Sequence, residues 1–420
     1  MDHFGFKQGE IYAEDLPVRT IAEAVGTPFY CYSTETLIRH YNVFSQAFSG
    51  HDFLLCYAVK ANTNQAIIKT LADQGAGADV VSEGELRRAL KAGIPPEKIV
   101  YSGVAKTKQE MQFALEQGIF QFNVESEPEL HQLSTVASHM GKTAAIAFRI
   151  NPDVDAKTHA KISTGKSENK FGIPLSHARE IYGIAAKLPG IRVQGVDLHI
   201  GSQLTDLAPF AEAFRRIATL VEDLRVDGHD ISVIDLGGGL GIPYDRESSK
   251  PPLPTEYGQM AKRIIGHLGC KIIIEPGRLL VGNAGILVSR VIYVKQGENR
   301  KFLIIDAAMN DLVRPSMYDA YHEIVAVKEN EGPASTYDIV GPVCETGDTF
   351  ARDRDLPDLN SGDLVVIRSA GAYGAVMSST YNTRRLIPEV LVKGGKYAII
   401  RARPTYDDII GLDELAEWQD

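Results

Sequence analysis

Tryptophan appears once in this 420-residue chain, and cysteine only four times, at Cys31, Cys56, Cys270 and Cys344. The cysteines are widely scattered, with no C-x-x-C pair and no His/Cys cluster at metal-ligand spacing. A zinc site or a disulfide framework is therefore not expected, and the four read as free thiols in a reducing cytosol. Positive charge is also short, with 44 Lys and Arg against 54 Asp and Glu, a formal net charge of -10. No basic stripe is visible, which argues against a nucleic-acid partner, because phosphate binding needs a basic excess. Long apolar runs are missing, and Met1 to Glu10 is acidic and mixed rather than basic and then apolar. Neither a membrane span nor a signal peptide is expected. Low-complexity tracts are absent too, as are internal repeats beyond the βα period described below. What is present is an ordinary globular composition, 44% hydrophobic and 23% charged, long enough for two domains with a large core. A soluble cytoplasmic enzyme is the working class.

Between Phe53 and Glu275, short β-prone runs alternate with amphipathic helical stretches. The runs are Phe53–Val59, Ala78–Val81, Ile99–Ser102, Phe120–Val124, Ala144–Ile150, Val193–Ile200, Val233–Leu236 and Lys271–Ile274. Eight βα units in series predict a (β/α)8 TIM-type barrel, with a doubly wound open sheet as the alternative that strand count alone leaves open. Helix starts are readable: Ser82 is an N-cap candidate ahead of Glu83 to Leu90. Polar residues of chemically useful kinds recur where the strands end, namely Lys60, Arg149, His199, Gly237 to Gly241 and Glu275 to Arg278. Functional groups gather at that rim in a barrel, which favours the barrel over the open sheet.

After Arg278 the pattern changes to strands without intervening helices: Ile286–Lys295, Lys301–Ile305, Tyr337–Val340, Asp363–Ile367 and Tyr397–Arg401. They predict a β-rich second domain, sandwich or barrel. The β-prone Pro28-Phe29-Tyr30-Cys31-Tyr32 is expected to pair with it, making that domain discontinuous. The expected division is a barrel over 35–280 and a β-rich domain over 1–34 and 281–420. Residues 151–172 form a polar, Lys-rich stretch too long for an ordinary connection, a candidate lid.

Lys60 follows a strand apolar enough to desolvate its amine, where a Schiff-base lysine would sit. Gly237-Gly238-Gly239-Leu240-Gly241 lets backbone N–H groups approach a phosphate. Glu275 beside Pro276 and Gly277 can keep a pyridine nitrogen protonated, and His199 can stack on a flat ring. Each has a plainer use when taken alone: a salt-bridged lysine, a tight turn, a structural acid, a core histidine. Their recurrence at one rim is what a packing account does not explain. Asp79 and Glu85 are placed to tune such a site, and Arg149 to support the ring or the phosphate.

Six ordered segments carry a resemblance: Tyr57-Ala58-Val59-Lys60-Ala61-Asn62, His199-Ile200-Gly201-Ser202, Gly237-Gly238-Gly239-Leu240-Gly241, Glu275-Pro276-Gly277-Arg278, Cys344-Glu345-Thr346-Gly347-Asp348 and Gly371-Ala372-Tyr373. Together they resemble the fold-type III pyridoxal 5'-phosphate (PLP) decarboxylases, whose barrel is alanine-racemase-like, over essentially the whole chain. Thr346 stands where the family more often has Ser, which keeps the hydroxyl. The resemblance implies PLP as cofactor and Lys60 as its covalent anchor. It implies His199 on the ring, Glu275 on the pyridine nitrogen, and Ser202, Gly237, Gly238, Gly239 and Tyr373 around the phosphate, with Pro276, Gly277 and Arg278 lining the same site. It further implies Cys344 as proton donor, Glu345 on the substrate's distal amino group, and Arg278, Arg314 and Tyr318 on a distal carboxylate, with Tyr373 beside them. Cys344 and Glu345 would arrive from the second subunit of a homodimer. The implied reaction is decarboxylation of meso-2,6-diaminopimelate to L-lysine and CO2.

Three alternatives stay open. A decarboxylase of ornithine, arginine or carboxynorspermidine would need an acid facing the distal amine rather than the basic and hydroxyl groups of Arg314 and Tyr318. A racemase would place a base, not Glu275, on the pyridine nitrogen. A non-catalytic PLP-binding protein would have no use for Cys344 beside Glu345.

Overall fold

The apolar runs form eight strands: β1 (Phe53–Ala58), β2 (Gly77–Val80), β3 (Ile99–Tyr101), β4 (Gln121–Val124), β5 (Ala144–Asn151), β6 (Ile191–Asp197), β7 (Val233–Asp235) and β8 (Lys271–Ile274). Each is parallel to the next, and β8 returns to β1 through Ile273 opposite Leu54, so the sheet closes and the open doubly wound alternative falls. The computed structural model describes residues 2–155, 170–245, 250–329 and 332–419. Most of the candidate lid therefore lies outside the described residues. The chain divides into two units, Leu37–Leu280, and Met1–Thr36 with Val281–Asp420.

In the first unit, polar side chains start the helices where the sequence offers them. Ser82 accepts from the Glu85 N–H at 3.2 Å, and Thr107 and Glu110 form a reciprocal capping box. Among the described residues, seven α-helices follow β1 to β7, and β8 runs into the four-residue α-helix Arg278–Val281. The eight βα units expected from the sequence are present, the last with a helix of a single turn. Thr34–Ala47, the helix ahead of β1, packs on Pro254–Ile265: a Cβ on Gly258 would lie 2.6 Å from the Ala47 carbonyl oxygen, and Phe44 and Phe48 flank Tyr257. β6 is bulged at Gln194, since Val193 pairs with Ile146 and Gly195 with the next residue, Ala147.

In the second unit, Gly285–Gln296 is a 12-residue strand whose first half pairs with Phe29–Ser33 and Leu364–Ile367 and whose second half pairs with Lys301–Ile305. Phe29–Ser33 also lies parallel to Glu389–Lys393, so the N-terminal segment enters the β-rich sheet. Phe29, Cys31, Ile286, Val288, Val366, Val390 and Val392 form its apolar core. A short helix, Arg314–Tyr318, interrupts what the sequence reads as strands alone, and another, Tyr406–Ile410, follows the final strand. Pro315 in the first helical turn explains one of them, because its missing N–H costs nothing there. Among the described residues, no helix is long and apolar enough to cross a membrane.

Candidate active site

Lys60 does not close the strand, as its sequence suggests, but sits in the one-turn 3-10 helix Val59–Ala61 just beyond β1. The turn forms because β1 stops pairing there: the Ala58 N–H goes to Pro276 O, and the Asn62 N–H closes back on Val59 O at 3.1 Å. Tyr57 Oη donates to Asn62 O at 2.8 Å and fixes the exit. The Lys60 amine donates to Asp79 Oδ2 at 2.5 Å; the Asp79 side chain is fully buried, whereas that of Lys60 is 37% exposed. The amine is thus held by a buried charge on one side and reachable from the other.

Across the mouth, Glu275 lies one residue past β8, buried. Burial first, and then Asp235, Asp79 and Asp197, push its carboxyl well above the usual range, with Lys60 opposing. Oxygens of Asp197, Asp235 and Glu275 lie within 4.8 Å of one another. Asp235, raised by burial to about 6, accepts the Gly237 N–H at 3.0 Å. Asn123 reaches Glu275 and Asp235 alike, each at 3.3 Å.

His199 lies two residues past β6. Burial, then Arg149 and Lys60, push its imidazole pKa well down, so the ring is neutral, and its Nδ1 accepts the Gly238 N–H at 3.2 Å. The glycine run is packed as well as permissive. A Cβ on Gly238 would lie 2.4 Å from Glu275 O, and one on Gly239, at φ 110°, 2.4 Å from Gly201 O. Larger residues would push the loops after β6, β7 and β8 apart. Arg278 donates to Ser202 Oγ at 3.1 Å and to Tyr244 Oη at 2.5 Å. Arg149 is turned toward the buried Glu125 carboxylate at 3.1 Å. Lys60, His199, Ser202, the glycine loop, Glu275 and Arg278 therefore line one barrel mouth.

The remaining candidates belong to the second unit. Arg314 is buried and meets His322 Nε2 at 3.1 Å. Ser316 Oγ donates to Gly347 O at 2.5 Å, tying the Arg314–Tyr318 helix to the loop of Cys344 and Glu345. Asp348 pins that loop from inside through the N–H groups of Val343 and Met309. Cys344 is exposed, and Glu345 accepts from Tyr381 Oη at 2.9 Å. Tyr373 adopts left-handed backbone, φ 55°, unusual for a bulky residue.

Residues 34–282 match the family described as pyridoxal-dependent decarboxylase, pyridoxal binding domain. The chain belongs to the pyridoxal-dependent decarboxylases. It is 51% identical over 420 residues to the diaminopimelate decarboxylase of Zymomonas mobilis subsp. mobilis, covering 99% of each chain. Its fold is similar to that of crystallised diaminopimelate decarboxylases with L-lysine, from M. jannaschii (TM-score 0.95, 39% identity, 99% and 98% coverage) and Helicobacter pylori (0.91, 42%, 94% and 98%).

The mouth fits the family's cofactor on its own chemistry. It offers a reachable amine for an aldehyde, a buried acid cluster for a cationic ring nitrogen, and hydroxyl and guanidinium groups beside a glycine loop for a phosphate. The Gly237 and Gly238 N–H groups, expected from the sequence to meet the phosphate, go instead to Asp235 and His199. Asp197, Asp235, Asn123 and Tyr244 escape the sequence reading. Asp235 carries a readable signal, an acid that closes the apolar strand β7 directly ahead of Leu236 and the glycines. Asn123 and Tyr244 carry none.

Glu85, half-buried, accepts the Val81 N–H at 2.9 Å, and burial, aided by Asp79, raises its carboxyl to about 7. Because the folded value exceeds the free value of 4.5, ionisation costs stability: the penalty is absent below about pH 4.5 and complete above about pH 7. Glu85→Gln, which keeps the acceptor, is expected to raise Tm by roughly 2–4 °C at pH 8 and by nothing at pH 4. Equal shifts at both pH values in a thermal scan would rule this out.

Proposed function

We propose that this chain is a PLP-dependent carboxy-lyase that converts meso-2,6-diaminopimelate to L-lysine and CO2, the last step of bacterial lysine biosynthesis, in the cytoplasm. The observation that carries the reading is a reachable lysine amine facing a buried acid cluster, in a chain that matches diaminopimelate decarboxylases end to end.

When bound, PLP supplies a conjugated sink for the electron pair left behind as CO2 departs. Lys60 anchors it, and Asp79 holds the amine in place. Glu275 pairs with the ring nitrogen, while the neutral His199 stacks on the ring face. Ser202, the glycine loop of Gly237, Gly238 and Gly239, and Tyr373 take the phosphate, with Pro276 and Gly277 bringing Glu275 and Arg278 to the rim. The Gly237 and Gly238 N–H groups are already given to Asp235 and His199, so those two glycines serve by the close approach that a missing Cβ allows. Losing CO2 from one end of the substrate requires a fixed orientation, so the substrate's far end has to be clamped. Arg278, Arg314 and Tyr318 hold its distal carboxylate, since guanidinium groups bind carboxylates through two parallel hydrogen bonds. Glu345 holds the distal ammonium. Cys344 returns a proton to the carbon that has lost CO2. The active form is a homodimer, in which the partner subunit's Cys344 and Glu345 complete each barrel mouth.

An absorbance spectrum before and after adding meso-diaminopimelate, with CO2 and lysine assayed together, tests the reading. A cofactor band that shifts, with CO2 and lysine released in equal amounts, is the expected result. A band without turnover would remove the substrate assignment, and no band after adding PLP would remove the cofactor site. Cys344→Ala is expected to keep the band and slow lysine formation by about 10²-fold. An unchanged rate would take Cys344 out of the proton-donor role.

A further inference from the structure

Three buried side-chain amides cross the barrel interior in one direction. Arg192, exposed near the start of β6, donates through Nη1 to Gln194 Oε1 at 2.8 Å. Gln194 Nε2 donates to Gln121 Oε1 at 3.0 Å, and Gln121 Nε2 donates to Asn123 Oδ1 at 2.8 Å. Asn123 Nδ2 then reaches Glu275 Oε1 and Asp235 Oδ2, each at 3.3 Å, and Ser102 Oγ at 3.1 Å. Gln121 and Asn123 are fully buried, and Gln194 is 6% exposed.

The Arg192 end fixes the direction. A guanidinium only donates, so each amide after it must turn its oxygen toward Arg192 and its NH2 toward the acids. Aligned amide dipoles polarise one another in a low-dielectric interior, so the N–H groups of Asn123 are stronger donors than those of an isolated amide. The β6 bulge makes the chain possible. It turns Gln194 inward and still leaves Asp197, three residues on, inside with Asp235 and Glu275. Leucine or methionine would fill these interior positions without three amides to satisfy, so packing alone does not call for the chain.

We propose that Asn123, backed by Gln121, Gln194 and Arg192, is a positioning residue that holds Glu275 ionised at the barrel mouth. Glu275 faces the acids Asp235, Asp79 and Asp197 and the cation Lys60; burial first, and then the three acids, oppose its ionisation. The two N–H hydrogens of Asn123 are shared among Glu275, Asp235 and Ser102, and Ser102 Oγ donates its own hydrogen on to Glu275 at 3.5 Å. Asp197 Oδ1, buried, has no hydrogen-bond partner among the described residues. Burial and then Asp235 push the Asp197 carboxyl well above the usual range as well, so Asp197 and Glu275 compete for a proton. The donors that Glu275 has and Asp197 Oδ1 lacks bias the proton toward Asp197, and toward Glu275 the charge that a pyridinium needs. This role for Glu275 rests on the cofactor reading above, but the setting of its protonation does not.

The test is a pH titration of the buried carboxyl stretch by infrared difference spectroscopy in the apoprotein, with Glu275→Gln to assign the band. It is run beside a pH titration of the cofactor absorbance in the holoprotein. Arg192→Met, at an exposed position, is expected to raise the Glu275 midpoint by about half a pH unit, threefold in the ionisation constant, and Arg192→Lys to leave it in place. Gln121→Leu is expected to raise it by about one unit. A purely structural chain would move no midpoint, so unchanged midpoints in Arg192→Met and Gln121→Leu would overturn the proposal. If Gln121→Leu does not fold, Arg192→Met against Arg192→Lys decides alone. If the apoprotein midpoints move as expected while no cofactor binds, the amide chain stands and the cofactor reading falls.

Discussion

Lys60→Ala is expected to abolish the cofactor absorbance band and to lower turnover by roughly 10³-fold or more, about 4 kcal/mol of barrier. The loss should be chemical rather than conformational. The turn that carries Lys60 is held by backbone bonds and by Tyr57 Oη, none of which uses the lysine side chain. A second effect follows from Asp79. Its carboxylate is fully buried, and the Lys60 amine is its ion-pair partner. Removing the amine leaves a buried charge behind, at a cost of about 1–2 kcal/mol once the partial exposure of Lys60 is allowed for. The double variant Lys60→Ala/Asp79→Asn should regain the lost thermal stability and none of the activity. Turnover near the parent rate in Lys60→Ala would end the covalent-anchor assignment. A double variant no more stable than the single one would mean that Asp79 is satisfied by something other than the lysine.

The barrel was legible because parallel strands, covered on both faces, must be apolar throughout, and such runs stand out between amphipathic helices. The segment around Phe29 was legible for the same reason: Phe29 to Ser33 is buried at every position. What escaped depends on offsets of a single residue or on distant pairing. Strict alternation along β6 would put Gln194 and Asp197 on opposite faces, one inside the barrel and the other outside. The bulge at Gln194 shifts the count by one and brings Asp197 to the acid cluster. The outer helix Thr34–Ala47 precedes β1 in sequence, so a reading that pairs each strand with the helix after it cannot find it. Asn123 looks like any polar residue in a short strand until its neighbours across the barrel are known. Arg149 illustrates the converse, since its place at the end of β5 was visible but its engagement with Glu125, from the end of β4, was not.

Glu275→Gln should move activity and stability in opposite directions. Glutamine has the same shape, can accept from Asn123 and Ser102 as the carboxylate does, and can donate an N–H toward Asp235. It cannot carry the charge that keeps a ring nitrogen protonated, and turnover is expected to fall by roughly 10²–10³-fold, the size of loss found when one preorganised electrostatic partner is removed from a reacting centre. The stability sign follows from the direction of the carboxyl's shift. Its folded pKa lies above the free value, through burial and then through Asp235, Asp79 and Asp197. Ionising it therefore costs stability, a cost absent in acid that grows as pH rises from the free value through the folded one. The variant should be as stable as the parent apoprotein in acid and more stable at neutral pH and above. Thermal scans of the two apoproteins across that range, beside turnover of the two holoproteins, separate the outcomes. A variant less stable at neutral pH would show that the Glu275 charge is a structural partner of the barrel. A variant both more stable and fully active would show that the reaction does not use that charge, and the acid cluster would then be strain with no catalytic return.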